Sequence, residues 1–129
     1  MGKAGGIIGK RGDIILPSHV MTQKDNSFMK ISNQSITKQN LLDAGCAREI
    51  HHGNILTVLG TLMQSQEMLA YYQSFWDVVG LEMEASHYLK AIHTAISTNM
   101  LAAGINLSMA YYISDTPLKA GQNLSQQLK

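Results

Sequence analysis

The feature that most constrains this chain is a set of short apolar runs, each bounded by turn residues and separated by segments of helical periodicity. Asp13-Ile-Ile-Leu-Pro17, Asn54-Ile-Leu-Thr-Val-Leu59, Val78-Val-Gly-Leu81 and Leu107–Ile113 are four such runs. They are too short for buried helices and aliphatic enough for buried strands. Between them, Leu41–Ile50, Leu62–Phe75 and Met83–Met100 read as helices. Leu62, Leu69 and Tyr72 share one face of the second, and Ala85, Tyr88, Leu89, Ile92 and Ile96 recur at helical spacing in the third, which Gly104 closes. Strands alternating with helices predict an α/β architecture in which helices cover a largely buried sheet. The opening glycines (Gly2, Gly5, Gly6, Gly9, Gly12) predict a tight turn feeding the first strand. The polar stretch 18–40 reads as a loop or an edge region over the core, and the residues after Pro117 as a loop leading into a further helix.

Composition narrows the function classes. The 129 residues carry 10 Lys+Arg against 9 Asp+Glu, a formal net charge of +1, and fit one domain. With 45% hydrophobic and 15% charged residues the chain can pack a core rather than stay disordered. The balanced charge lacks the clustered Lys/Arg of a nucleic-acid or anionic-membrane surface, and Lys10-Arg11 is too short a basic cluster to supply one. A lone cysteine, Cys46, excludes an internal disulfide and a multi-Cys zinc site and fits a reducing compartment. No apolar run approaches the ~20 residues that span a bilayer, and the N-terminus lacks the apolar core of a signal peptide. The expectation is a soluble, cytoplasmic protein with neither nucleic acid nor membrane as partner.

In open α/β sheets, ligands gather at the carboxyl ends of the strands, which directs attention to Glu82 and Glu84 after one run and to Ser114 and Asp115 after another. A carboxylate accepts two hydrogen bonds side by side and so can grip a vicinal diol such as that of ribose. Met83 between the two glutamates offers a soft apolar surface to a sugar face. An aspartate at the position of Asp115 can protonate a leaving base. Each pattern also has a plain structural reading: a solvated Glu82, a Glu84 stabilised in the first turn of a helix, and an Asp115 that caps a helix or makes an Asx turn.

Four segments occur in order: Gly2-Lys-Ala-Gly-Gly6, Arg11-Gly-Asp-Ile-Ile-Leu-Pro17, Gly80-Leu-Glu-Met-Glu-Ala-Ser86 and Tyr112-Ile-Ser-Asp-Thr-Pro-Leu118. Together they resemble the purine nucleoside and uridine phosphorylase superfamily, which includes nucleosidases, and the Ser-Asp-Thr-Pro-Leu ending most resembles its AMP nucleosidase branch. The resemblance covers residues 2 to about 120. It implies a partial nucleoside-phosphorylase-like fold, a central mixed sheet flanked by helices, in a single domain spanning residues 1–129 that lacks the family's first strands. It implies cleavage of an N-glycosidic bond of a nucleoside or nucleotide through an oxocarbenium-like transition state, without a cofactor and with phosphate as co-substrate if the reaction is phosphorolysis. Glu84 would hold the ribose hydroxyls, Met83 would pack on the sugar and Glu82 would support both. Asp115, oriented by Ser114, would protonate or hydrogen-bond the departing base. Lys3, Gly5 and Gly6 would border phosphate or the attacking water.

The chain departs from the family pattern at several points. Lys3 stands where the family often carries Ser or Thr, no arginine precedes the glycine box, and no aromatic follows Asn54–Leu59 to stack a base. Missing strands would expose a sheet edge, so the sequence predicts a homo-oligomer. Two alternatives remain at this point. One is a phosphorylase-like remnant that assembles or binds ligand without turnover. The other, more remote, is a di-iron helical protein built on the Glu-x-x-His pairs Glu49/His52 and Glu84/His87 with Glu67 and Glu82.

Overall fold

The computed structural model describes residues 1–25, 27–33, 35–60 and 65–117. Its elements are β1 (Gly2–Gly6), β2 (Ile14–Thr22), β3 (Phe28–Lys30), α1 (Lys38–Asp43), β4 (Ile50–Thr57), α2 (Gln66–Trp76), β5 (Val78–Glu82), α3 (Ala85–Ser97) and β6 (Tyr111–Asp115). The six strands form one sheet in the order β3-β2-β4-β5-β1-β6, and β6 also pairs with β2. The sheet is mixed: β2–β4, β4–β5 and β1–β6 are parallel, while β1–β5, β2–β3 and β2–β6 are antiparallel. The α/β class and the mixed sheet with covering helices are therefore as expected. The closure of β6 onto β2, through Ile14↔Tyr112 and Ile15↔Tyr111, pairs part of an edge that the sequence left open.

Successive strand residues alternate between faces, and each face has its own cover. Ile15, Ile55, Val79, Tyr111 and Ile113 pack with Ala85 and Leu89 of α3. Leu56, Val78 and Leu81 pack with Leu69 and Tyr72 of α2, the β4–β5 register shift at Val79 breaking the alternation between Val78 and Leu81. A third cluster joins Ile14, Leu16, Ile50 and Ala110 to Leu41 of α1.

Several expectations are corrected. The Gly2–Gly6 box is a central strand, not a turn. Glycine is needed there for close approach: a Cβ on Gly6 would stand 2.8 Å from Ile113 Cγ2. Pro17 does not end its strand, because the β2–β4 register shifts between Pro17 and His19, a bulge where a missing N–H is tolerated. Ser18, at the bulge, turns its hydroxyl to the Gly53 carbonyl at 3.2 Å and to Asn54 Oδ1 at 3.1 Å. The 18–40 stretch accordingly holds the end of β2, with Val20 and Met21 buried, together with β3 and the start of α1.

The first helix is Lys38–Asp43, set by a Thr37/Asn40 capping box, and Gly45 at φ +88° follows it. Ile50–Gly53 then extend β4 toward its N-terminus. The second helix begins at Ser65, its N-cap; the expected members Leu62 and Met63 lie outside the described residues, as does the helix expected after Pro117. The third helix ends at Ser97, with Asn99 at positive φ beyond it, so Gly104 is not its stop. The last strand is Tyr111–Asp115 rather than Leu107–Ile113, which places Ser114 and Asp115 inside it.

No helix among the described residues is long and apolar enough to cross a membrane. The di-iron arrangement is overturned: His52 sits on strand β4, Glu49 precedes that strand, and the pair shares no helix.

Candidate active site

The end of β5 runs directly into α3, and the three residues Glu82, Met83 and Glu84 make the junction. Glu82 is 3% exposed. Its Oε2 accepts the backbone N–H groups of Glu84 at 2.6 Å and Ala85 at 2.7 Å, and its Oε1 accepts the Thr57 hydroxyl at 2.5 Å. Glu82 thus supplies the acceptor that the open N–H groups at the N-terminus of α3 need. Burial pushes its carboxyl above the usual range, with the charge of Glu84 adding to the rise, against three hydrogen bonds that favour the ionised form. A solvated Glu82 is excluded. Glu84 is the helix N-cap, yet it makes no capping bond with its side chain and stays exposed, as does Met83.

Glu82, Met83 and Glu84 line a cavity of about 530 Å³ together with Gly2, Lys3 and Tyr111. Sequence reasoning missed Tyr111 and Thr57. Tyr111 is buried; burial, then the nearby charges of Glu82 and Glu84, push its hydroxyl above the usual tyrosine range. Thr57 was legible only as a lone hydroxyl inside an apolar run, a residue type that demands a partner once buried.

Asp115 lies on β6, on the other side of β1. Gly5 is the register partner of both Leu81 and Asp115. Two interstrand spacings, about 10 Å, therefore separate the backbones of Leu81 and Asp115. Asp115 is buried. The Ser114 hydroxyl lies 2.9 Å from its Oδ1 and 3.2 Å from the Ala4 carbonyl, while its Oδ2 is buried without a hydrogen bond. Burial pushes the Asp115 carboxyl up, opposed by the Ser114 hydrogen bond and the charges of Lys3 and Arg11.

Asp115 lines neither the Glu84 cavity nor a second one, of about 440 Å³, that holds Ser114, Lys3, Arg11 and Arg48. Tyr111 borders the first cavity and Tyr112 the second, so the two lie on opposite faces of β6. Lys3, the register partner of Tyr112, borders both. Gly5 and Gly6 are buried in β1, between the two carboxylate-bearing strands.

Among the described residues, Asp13, Glu49 and His51 bring ligand-type atoms within 4.8 Å of one another. Asp13 Oδ2 already contacts His51 Nε2 at 3.0 Å and the Lys10 N–H at 3.1 Å, so the cluster reads as a hydrogen-bonded Asp13–His51 pair.

No curated protein sequence matches the chain. Among solved structures, it is similar to the futalosine hydrolase of Helicobacter pylori (15% identity, TM-score 0.63, covering 88% of this chain and 54% of that one). It is also similar to the 5'-methylthioadenosine/S-adenosylhomocysteine nucleosidase of Helicobacter pylori (17%, TM-score 0.66, 93% and 56%). A putative nucleosidase of the same description from Borrelia burgdorferi, bound to adenine, gives 23%, a TM-score of 0.64, and coverage of 92% and 55%. The likeness shows a nucleosidase-like fold, of which the chain spans a little over half the length. The profile of a family described as "Family of unknown function (DUF6909)" matches residues 1–129, and the chain belongs to that family.

Proposed function

We propose that the chain cleaves the N-glycosidic bond of a nucleoside or nucleotide, with the sugar held in the cavity at the β5–α3 junction. The observation that carries this reading is the contrast between two neighbouring carboxylates: Glu82 is buried and fully engaged, while Glu84 is exposed at the cavity with no capping bond. Glu82 fixes the backbone from which Glu84 projects, and Glu84 keeps both oxygens for a vicinal diol. Met83 packs on the sugar, and the Tyr111 hydroxyl is a neutral donor beside the two carboxylates.

Asp115 is the acid. Burial pushes its carboxyl up, which favours the protonated form that gives its proton to the departing base as the glycosidic bond breaks. Ser114 orients it. The attacking water or phosphate approaches near Lys3, Gly5 and Gly6, giving free sugar or sugar 1-phosphate with the base. No cofactor enters the reaction. The solved structures with a similar fold carry nucleosidase and hydrolase names, which supports this reaction class. The finer placement beside AMP nucleosidase rests on the Ser114-Asp-Thr-Pro-Leu118 segment alone.

The test is incubation with AMP, adenosine, inosine and uridine, with and without phosphate, followed by chromatography for free base. Base released without phosphate means hydrolysis, and base released only with phosphate means phosphorolysis. No base from any of the four overturns the proposal.

A further inference from the structure

The second cavity gathers three cationic side chains and no acidic one: Lys3, Arg11 and Arg48 line it with Gly12, Tyr112 and Ser114. They come from separate parts of the chain. Lys3 lies on β1, Arg11 and Gly12 on the turn before β2, and Arg48 on the segment between α1 and β4. Arg48 is seated by shape. Gly12 has φ +94°, and a Cβ there would stand 2.9 Å from Arg48 Cζ, so the guanidinium lies against bare backbone. None of the three cations joins an ion pair among the described residues.

Two of the carboxylates nearby, Asp13 and Asp115, are committed or secluded. Asp13 is tied to His51 and to the Lys10 N–H. Asp115 feels Lys3 and Arg11, but it is buried and burial favours its neutral form. Glu49, adjacent to Arg48 in sequence, pairs with no described cation. Like charges held together without a counter-charge repel, and an arriving anion relieves that repulsion.

We propose that this cavity binds a phosphate-class dianion, either inorganic phosphate or the head of a phosphomonoester, on the face of β6 opposite the glycosidic site. The guanidinium groups of Arg11 and Arg48 offer paired donors matched to phosphate oxygens, Lys3 adds a point charge, and the Tyr112 hydroxyl adds a donor. The cavity falls in the size range of small-molecule sites, which leaves room for the organic part of an ester. The site shares Lys3 with the glycosidic reading, whereas Arg11 and Arg48 take no part in that reaction, so their variants test the site apart from it.

Isothermal titration of the full chain with inorganic phosphate, and separately with glycerol 3-phosphate, tests the site; glycerol is the uncharged control. The expected result is saturable anion binding that weakens with added salt and no binding of glycerol. Arg48→Met and Arg11→Met, both at exposed positions, should each raise Kd about tenfold or more while keeping the wild-type Tm. Tighter binding of glycerol 3-phosphate assigns a phosphomonoester, and tighter binding of phosphate assigns the free ion. If Arg48→Met fails to fold, Arg11→Met decides alone. Absence of saturable binding by the wild type, or wild-type Kd in the folded variants, overturns the proposal.

Discussion

The Thr57 hydroxyl donates to Oε1 of Glu82 while accepting the backbone N–H of Ser86 at 3.1 Å. The two residues are register partners on parallel strands, so one side chain ties β4 to β5 and to the first turn of α3. Thr57→Val keeps the shape and removes both bonds, leaving a buried carboxylate and an N–H short of partners. Urea unfolding should show a loss of about 1–3 kcal/mol. A change below about 0.5 kcal/mol would mean that the bridge does not hold the junction.

Gly80 tests the packing on the face that α3 covers. An added Cβ would stand 2.8 Å from Ile15 Cδ1 and 3.0 Å from Ile55 Cδ1, with the Gly5 carbonyl at 3.3 Å. Gly80→Ala should destabilise by about 1–3 kcal/mol through overpacking. Thermal unfolding at the wild-type Tm would show that the sheet gives way there at little cost.

Asp13 carries a stability that depends on pH. Burial raises its carboxyl, but the His51 hydrogen bond, the Lys10 N–H and the charges of both residues outweigh burial and hold it below the usual range. A lowered carboxyl contributes stability above its ordinary pKa of about 4 and loses it as pH falls toward the folded value. Asp13→Asn should therefore cost about 1 kcal/mol at pH 7, and the gap to wild type should close in acid. A gap that persists unchanged at about pH 3 contradicts this account.

Much of the junction was legible in sequence because it sits where two patterns meet. The run Val78–Leu81 became β5 with one residue added, and the periodic Ala85 and Leu89 became the buried face of α3. What failed shares a cause: distant backbone overrode local signals. Glycines that favour turns in isolation became β1 because Ile113 packs where a side chain would stand. Pro17 stops a strand only where its N–H is needed, and the bulge opposite Gly53 and Asn54 removes that need. The partnership of Thr57 with Glu82 spans 25 residues and has no local signature. The resemblance brought Glu84 and Asp115 together as one site; the structure sets Glu84 at the N-cap of α3, just past β5, and Asp115 on β6, with β1 between those two strands and only Glu84 lining the cavity.

Asp115 as acid fixes the sign of the pH dependence. Burial keeps its proton to a higher pH than an exposed aspartate would, so turnover should fall as pH rises through that raised value. Asp115→Asn should lower kcat by about 10²-fold or more and abolish that limb of the profile, with Tm preserved. The same limb in the variant's residual activity would remove Asp115 from proton transfer.

The most direct test of the central claim is the rate of base release by wild type and by Glu84→Gln on whichever nucleoside or nucleotide the wild type cleaves. Glu84 is exposed and holds nothing in the fold with its side chain, so the variant should keep its Tm. Its kcat/KM should fall about 10²-fold or more as the ribose clamp loses its charge. A folded Glu84→Gln protein that releases base at the wild-type rate would contradict the account.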